Sequence, residues 1–242
     1  PAAEEALYDI ECMRGFAQLE LGEQELPDET TIRNFRRIIE TNHLSECLFN
    51  DVNDYLSEQG IRIWQGSMVD ATIIQAPSSI KNKEKQRDPD MDSTRKGNQY
   101  YFGMKIHIGT DVDSHVIHSA TVTSANEADI TELPHLLRED DQVIFADAGY
   151  TSDRYKRGAR ALGMSWKVND KRKPKKNMSP SQKKRNRQNA SIRARVGHCF
   201  RVIKCQFGYK KTRYKGLEKN RTQVFSLLSL TDVYLQRKHL MG

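Results

Sequence analysis

From Lys171 to Leu217 the sequence contains no aspartate or glutamate, although 17 of the chain's 39 lysines and arginines fall there. The other 22 basic residues face all 32 acids, so a net charge of +7 hides a basic segment joined to an acidic body. Such asymmetry marks a polyanion partner, most often nucleic acid. Trp166, Phe200, Phe207, Tyr209 and Tyr214 flank or interleave the charge, which favours nucleic acid over a merely solvated loop.

Other absences narrow the field. No run approaches the ~18 apolar residues of a membrane helix, and no signal-peptide pattern opens the chain. An initiator Met is also missing, and the chain starts inside a helical pattern, as a trimmed chain or a truncated reading frame would. Cys12, Cys47, Cys199 and Cys205 form no CxxC pair and match no zinc spacing, which suits reduced cysteines in ordinary packing. Without GxSxG, P-loop, dinucleotide fingerprint or HExxH, the corresponding chemistries are poor candidates.

What is present suggests a mixed architecture, in a chain of 242 residues that suffices for one large domain or two small ones. Residues 1–60 read as helical. "PDETTIRNFRRIIE" opens on Pro27 and Asp28 and lines Ile32, Phe35, Ile38 and Ile39 along one face. "HLSECLFNDVNDYLSEQG" follows, stopped by Gly60. The pair fits helix packing or a helix-turn-helix DNA reader. Strand patterns come next in "IWQGSMVDATIIQA", on both sides of the turn at Asp111–His115, in "QVIFADAGY" and in "SWKV", with helical patterns in "DITELPHLL" and "SDRYKRGARALG". "NDKRKPKKNMSPSQKKRNRQN" is poor in apolar residues and reads as mobile. "SIRARVGHCFRVIK" reads as one amphipathic helix, and "VFSLLSLTDVYLQRK" as the last. This order predicts an α/β fold: a mixed sheet flanked by helices, behind an N-terminal helical region.

Two aspartates occupy unexpected positions. Asp70 interrupts a strand pattern, where a buried carboxylate costs several kcal/mol unless compensated. Asp147 ends the apolar run Val143–Ala146, at the carboxyl end of a buried strand, where α/β folds gather ligand sites. Separately, a paired structural Asp70 and a turn-forming Asp147 explain them as well as function does. Together they suggest a hard-metal site serving phosphoryl transfer, on a substrate whose phosphate backbone the basic segment grips.

The segments "VDAT", "NKEKQRDPDM", "GNQYYFGMKIHIG", "TSANEADI", "ADAGY", "SIRARV", "FRVIK" and "RYKGLEKN" occur in the order seen in DDE-type transposases of small bacterial insertion sequences. The sequence resembles the insertion-sequence-five type over nearly its whole length. The resemblance implies an RNase H-like catalytic domain over 61–242, with a basic insertion around 170–190, behind a truncated N-terminal helical region, 1–60. It implies metal-dependent cleavage and strand transfer at element ends, with Mg²⁺ or Mn²⁺ as cofactor and two ions in an intact member. It implies terminal-repeat and target DNA as partners, a homodimer when active, and a cytoplasmic, nucleoid-associated protein without membrane contact. Asp70 and Asp147 match the first two catalytic, metal-holding acids. Lys105, Arg193, Arg201 and Lys204, with Lys171, Arg172, Lys173, Lys175 and Lys176 of the basic segment, are the expected DNA contacts. Gly103, His107, Asn126, Glu127 and Asp129 match family patterns of unassigned role.

The family's third acid, a Glu, lies on a helix with a Tyr, Arg, Glu, Lys signature. Arg193 and Lys204 match the Arg and Lys, Ala190 stands at the Tyr position, and Gly197 stands where the Glu is expected. His198 is about 100° round the helix and is a poor hard-metal ligand. A catalytically inactive, DNA-binding remnant is therefore the alternative to an active transposase. Behind these come a nuclease-like enzyme with two carboxylates and an RNA-binding domain.

Overall fold

A computed structural model describes residues 2–22, 24–61, 65–80, 85–173 and 177–242. The chain divides into two compact units, 1–45 and 46–242. The first holds α1 (Ala2–Asp9), α2 (Glu11–Ala17) and α3 (Glu29–Thr41). Asp28 caps α3, its side chain accepting from the Thr31 amide at 2.7 Å, as the Pro27–Asp28 start predicts.

The second unit continues from α4 (Leu44–Glu58) into a six-stranded sheet. Strand β1 (Gly66–Gln75) lies at its centre. It pairs antiparallel with β3 (Gln99–Asp111) and parallel with β5 (Val143–Ala146), which in turn pairs parallel with β6 (Ser165–Val168). The long β3 carries two partners on its far edge, β2 (Asp92–Lys96) and β4 (Ile117–Ser124). β2, "DSTRK", has no apolar residue to announce it; the hairpin at Gly97 (φ +62) and pairing with Tyr100–Gly103 create it. Gly103 (φ +156) has no room for a side chain against β1: a Cβ there would lie 2.1 Å from the Ile74 carbonyl oxygen.

Helices α5 (Asp129–Leu136), α6 (Asp153–Ala161), α7 (Pro180–Arg193), α8 (Val196–Arg201) and α9 (Leu217–Leu240) complete the unit. One core joins Met68, Ile74, Met104, Ile106 and Ile108 of the sheet to Val196, Phe200 and Ile203 and to Val224, Phe225 and Leu228 of α9. Two of the segments that carry the resemblance meet at α9. The Asp88 and Asp90 carboxylates accept from the Gly216 and Leu217 amides at the start of α9. The buried Asn220 side chain donates to the Tyr214 and Gly216 carbonyls and accepts from Tyr209 Oη.

The stretch expected to be mobile is a helix over its second half. Ser179, Pro180 and Gln182 form a reciprocal capping box with proline in the first turn, and this local start signal outweighs the lack of apolar residues. The helix expected over Ser191–Lys204 is broken into three. Bonds of the shorter, i to i−3 kind at Arg195, Gly197 and His198 tighten the α7–α8 junction, and Val202–Gln206 widens into a π-helical segment.

β1 outruns β5. Its edge beyond Asp70 is covered instead by the segment after α8: the Gln75 amide donates to the Lys210 carbonyl, the Thr212 amide to the Gln75 carbonyl, and Lys204 Nζ to the Ile73 carbonyl at 2.8 Å. An uncovered strand edge leaves its backbone groups unpaired, so the π-helical turn and its tail complete the sheet.

Candidate active site

The parallel register of β1 and β5 runs Gly66↔Val143, Ser67↔Ile144, Met68↔Phe145. Two residues further along stand Asp70 and Asp147, on neighbouring strands that lie ~4.8 Å apart. Asp147 keeps an extended backbone (φ −80°, ψ −178°), and its Oδ1 accepts from the Gly149 amide at 2.7 Å to start a 3-10 turn, Ala148–Tyr150. Asp70 Oδ1 accepts from the Ala71 amide at 2.9 Å, and Oδ2 receives Arg193 Nη1 at 2.7 Å. Both structural roles considered for these residues, the paired Asp and the turn-forming Asp, are thus present. They leave the two carboxylates abreast at the sheet's centre.

Burial raises the Asp70 carboxyl above its usual range; Arg193 opposes that rise, and the charges of Asp147 and Asp129 add to it. Asp129, whose role the sequence leaves unassigned, stands beside this pair. A Cβ on Gly149 would meet Asp147 Oδ1 at 2.9 Å and Asp129 Oδ2 at 3.9 Å. Lys105 Nζ donates to Asp129 Oδ1 at 2.8 Å and to the Glu127 carbonyl. Buried His107 has Nε2 against Thr123 Oγ1 at 2.8 Å and Nδ1 3.9 Å from Asp129 Oδ1, and burial lowers its pKa, so it is neutral. The buried Tyr150 phenol is pushed up by burial and by Asp129, Asp70 and Asp147, and so keeps its proton. The alternation Lys105, His107 on β3 hints at a shared face. Nothing in the chain signals that the first turn of α5 meets it.

The other expected residues spread differently. Lys105 is committed to Asp129, with its side chain only 11% exposed. Gly197, in the first turn of α8 beyond the junction that follows Arg193, is exposed, and a Cβ there would have no atom within 4 Å. Lys204 lies in the π-helical segment and Arg201 is exposed at the end of α8. Lys171, Arg172 and Lys173 are exposed, whereas Lys175 and Lys176 lie outside the described residues.

A second polar cluster sits at the opposite end of β1. Ser67 Oγ donates to Asp141 Oδ2 at 2.6 Å and lies 2.9 Å from His118 Nε2, while His118 Nδ1 lies 2.9 Å from Ser119 Oγ. Because Ser67 spends its proton on Asp141, its oxygen accepts from Nε2–H. Ser67 is fully buried and its bond runs to the acid, so this is a structural network and no nucleophile triad. Burial, aided by Arg138, pushes the His118 pKa down to about 3. The unfolded chain takes that proton below about 6.5, so this contribution to stability is complete above about 6.5 and is lost as pH falls towards about 3. Thermal unfolding across that window should show the loss, and His118→Gln should flatten the profile. An equally steep profile in the variant would place the acid sensitivity elsewhere.

Among the described residues no three of His, Cys, Asp and Glu are gathered in metal-binding geometry, and no helix is long and apolar enough to cross a membrane. Asp70 and Asp147 offer hard oxygen donors of the kind Mg²⁺ uses when it keeps waters and takes further oxygens from a phosphate. The donor chemistry therefore fits a divalent cation held by two carboxylates. Residues 65–231 match the transposase DDE domain family. That span opens just before β1 and closes inside α9, so it includes the whole sheet, Asp70, Asp147, Arg193 and Gly197. It is well over half of the sequence, and the chain belongs to the transposase DDE domain family.

Proposed function

We propose that the chain is a DNA transposase of the insertion-sequence-five type, cleaving and rejoining strands at element ends. Its catalytic acids are Asp70 and Asp147, and position 197 is that of the absent third acid. One observation supports this reading: Asp70 and Asp147 each stand two residues beyond the last paired positions of the parallel β1–β5 register, Met68↔Phe145, and the Asp147 charge acts on the Asp70 carboxyl. The strand order β4-β3-β1-β5-β6, three antiparallel strands followed by two parallel ones, supports an RNase H-like core in a catalytic domain over 61–242, behind a helical region over 1–60. Asp70 and Asp147 would hold Mg²⁺ or Mn²⁺, with two ions in an intact centre. The metal would supply electrostatic stabilisation of the attacking and leaving oxygens. The chain's own residues hold the acids in place: Arg193 fixes Asp70, the Gly149 amide fixes Asp147, and Lys105 fixes Asp129 beside them.

The substrate is DNA in the terminal repeats and target, gripped by the basic segment, by a protein that acts as a homodimer on paired ends in the bacterial cytoplasm. A second reading is favoured by Gly197 itself. With no carboxylate there, the chain binds DNA as an inactive remnant. Both readings require DNA binding. Neutral replacements at Lys171, Arg172, Lys173, Lys175 and Lys176 should weaken binding to a DNA duplex. They should also flatten its dependence on salt, by about 0.9 in log–log slope for each phosphate no longer neutralised. An unchanged slope would reduce the segment to a solvated surface.

A further inference from the structure

Asp129 opens α5, whose first turn has no side-chain cap. Its carboxylate turns instead to β3 and to the two acids at the centre of the sheet. Lys105 Nζ donates to Oδ1 at 2.8 Å, while Oδ2 faces Gly149, where a Cβ would meet both that oxygen and Asp147 Oδ1. An ion pair with Lys105 therefore accounts for one oxygen of Asp129 and leaves the other to the site.

Two fully buried groups beside this carboxylate have no hydrogen-bond partner among the described residues: Tyr150 Oη and His107 Nδ1. The charges of Asp129, Asp70 and Asp147 all act on the Tyr150 phenol, which puts its hydroxyl among the three acids. The tautomer of His107 follows from its other nitrogen. Thr123 Oγ1 donates to the Ser124 carbonyl at 3.1 Å, so it accepts from His107 Nε2–H at 2.8 Å. The neutral ring then presents a lone pair at Nδ1, 3.9 Å from Asp129 Oδ1. Buried acceptors that face each other are costly unless a donor serves them.

Water on a metal ion is such a donor. Its lone pair goes to the cation, both of its hydrogens seek acceptors, and Mg²⁺ held by one or two carboxylates keeps several such waters. Direct ligation by Asp129 does not fit, because no three acids, histidines or cysteines among the described residues are gathered in metal-binding geometry. We propose that Asp129 is a positioning residue for the divalent cation of Asp70 and Asp147, accepting at Oδ2 from water on that cation, with His107 Nδ1 as a second acceptor. The proposal rests on the shared metal site and brings it a third carboxylate, from α5 and not from position 197.

Titration of the full chain with Mn²⁺ tests the role without catalysis. Asp129→Asn keeps an acceptor for Lys105 but loses the charge, and it should weaken Mn²⁺ binding by about tenfold or more. Glu132→Gln removes the same charge three residues along α5, from an acid that also acts on His107, and should keep the parental affinity. His107→Gln keeps a donor for Thr123 and loses the Nδ1 acceptor, so it should also weaken binding, and it carries the test should Asp129→Asn fail to fold. A purely structural Lys105–Asp129 pair would change the melting temperature and leave Mn²⁺ affinity alone. Parental affinity in Asp129→Asn, or an equal loss in Glu132→Gln, would overturn the role of Asp129, while a loss in Asp70→Asn keeps the shared site standing. Absence of Mn²⁺ binding in the parent would overturn both.

Discussion

Gly197→Glu should gain metal-dependent nicking at the element's ends over the parent chain, by on the order of 100-fold, the scale of restoring one preorganised group in a catalytic centre. The geometry admits the change. A Cβ at 197 enters open space, and the position lies in the first turn of α8, across the tightened junction from Arg193, whose guanidinium reaches Asp70. Gly197 is the second residue of α8, where glutamate is the better helix former and its charge suits a first helical turn. Gly197→Gln separates the two effects, because it restores the helix former without the charge. Nicking that rises equally with Gln and Glu, or strong cleavage by the parent, would exclude position 197 from the catalytic acids.

Asp70→Asn or Asp147→Asn, placed in the Gly197→Glu background, should return cleavage to the parental level or below. Asparagine keeps an acceptor for the Ala71 or Gly149 amide while removing the negative charge. For Asp147→Asn the loss should therefore be catalytic rather than a failure to fold, with a melting temperature close to that of the background variant; Asp70→Asn also takes the counter-ion from Arg193, so its melting temperature should fall somewhat while the variant stays folded. The two effects should not add, since acids that share one ion act as a unit. A variant that cleaves as fast as its background would show that its carboxylate is a strand or turn feature only.

The elements with strong periodicity are legible in the chain. β5 and the turn at Asp147 follow from an apolar run ending in an acid, and the turn at Asp111–His115 falls between β3 and β4 as expected. Two misplaced charges suggest the 70–147 pairing, and the parallel register turns it into a geometry. β2 is not legible because its stability comes from pairing with β3, not from its own residues. α7 is hidden by its polar composition, although the capping box that starts it is plain in the sequence. The π-helical segment that aims Lys204 has no mark in the sequence: it arises from how "VIKCQ" must pack against the core while covering the edge of β1. Asp129 and Tyr150 fall in segments that carry the resemblance, but their place beside Asp70 has no mark in the sequence for a related reason. Their nearness to Asp70 is a product of α5 and the 3-10 turn meeting over the sheet, and contacts so far apart in sequence leave no local pattern.

In the proposed site, Asp70 and Asp147 share one divalent cation. Titration of the full chain with Mn²⁺, following the free ion by electron paramagnetic resonance, tests it without recourse to catalysis. The parent should bind Mn²⁺ weakly, Gly197→Glu more tightly, and Asp70→Asn and Asp147→Asn should each lose the binding. Parental Mn²⁺ affinity in either asparagine variant would contradict the shared site.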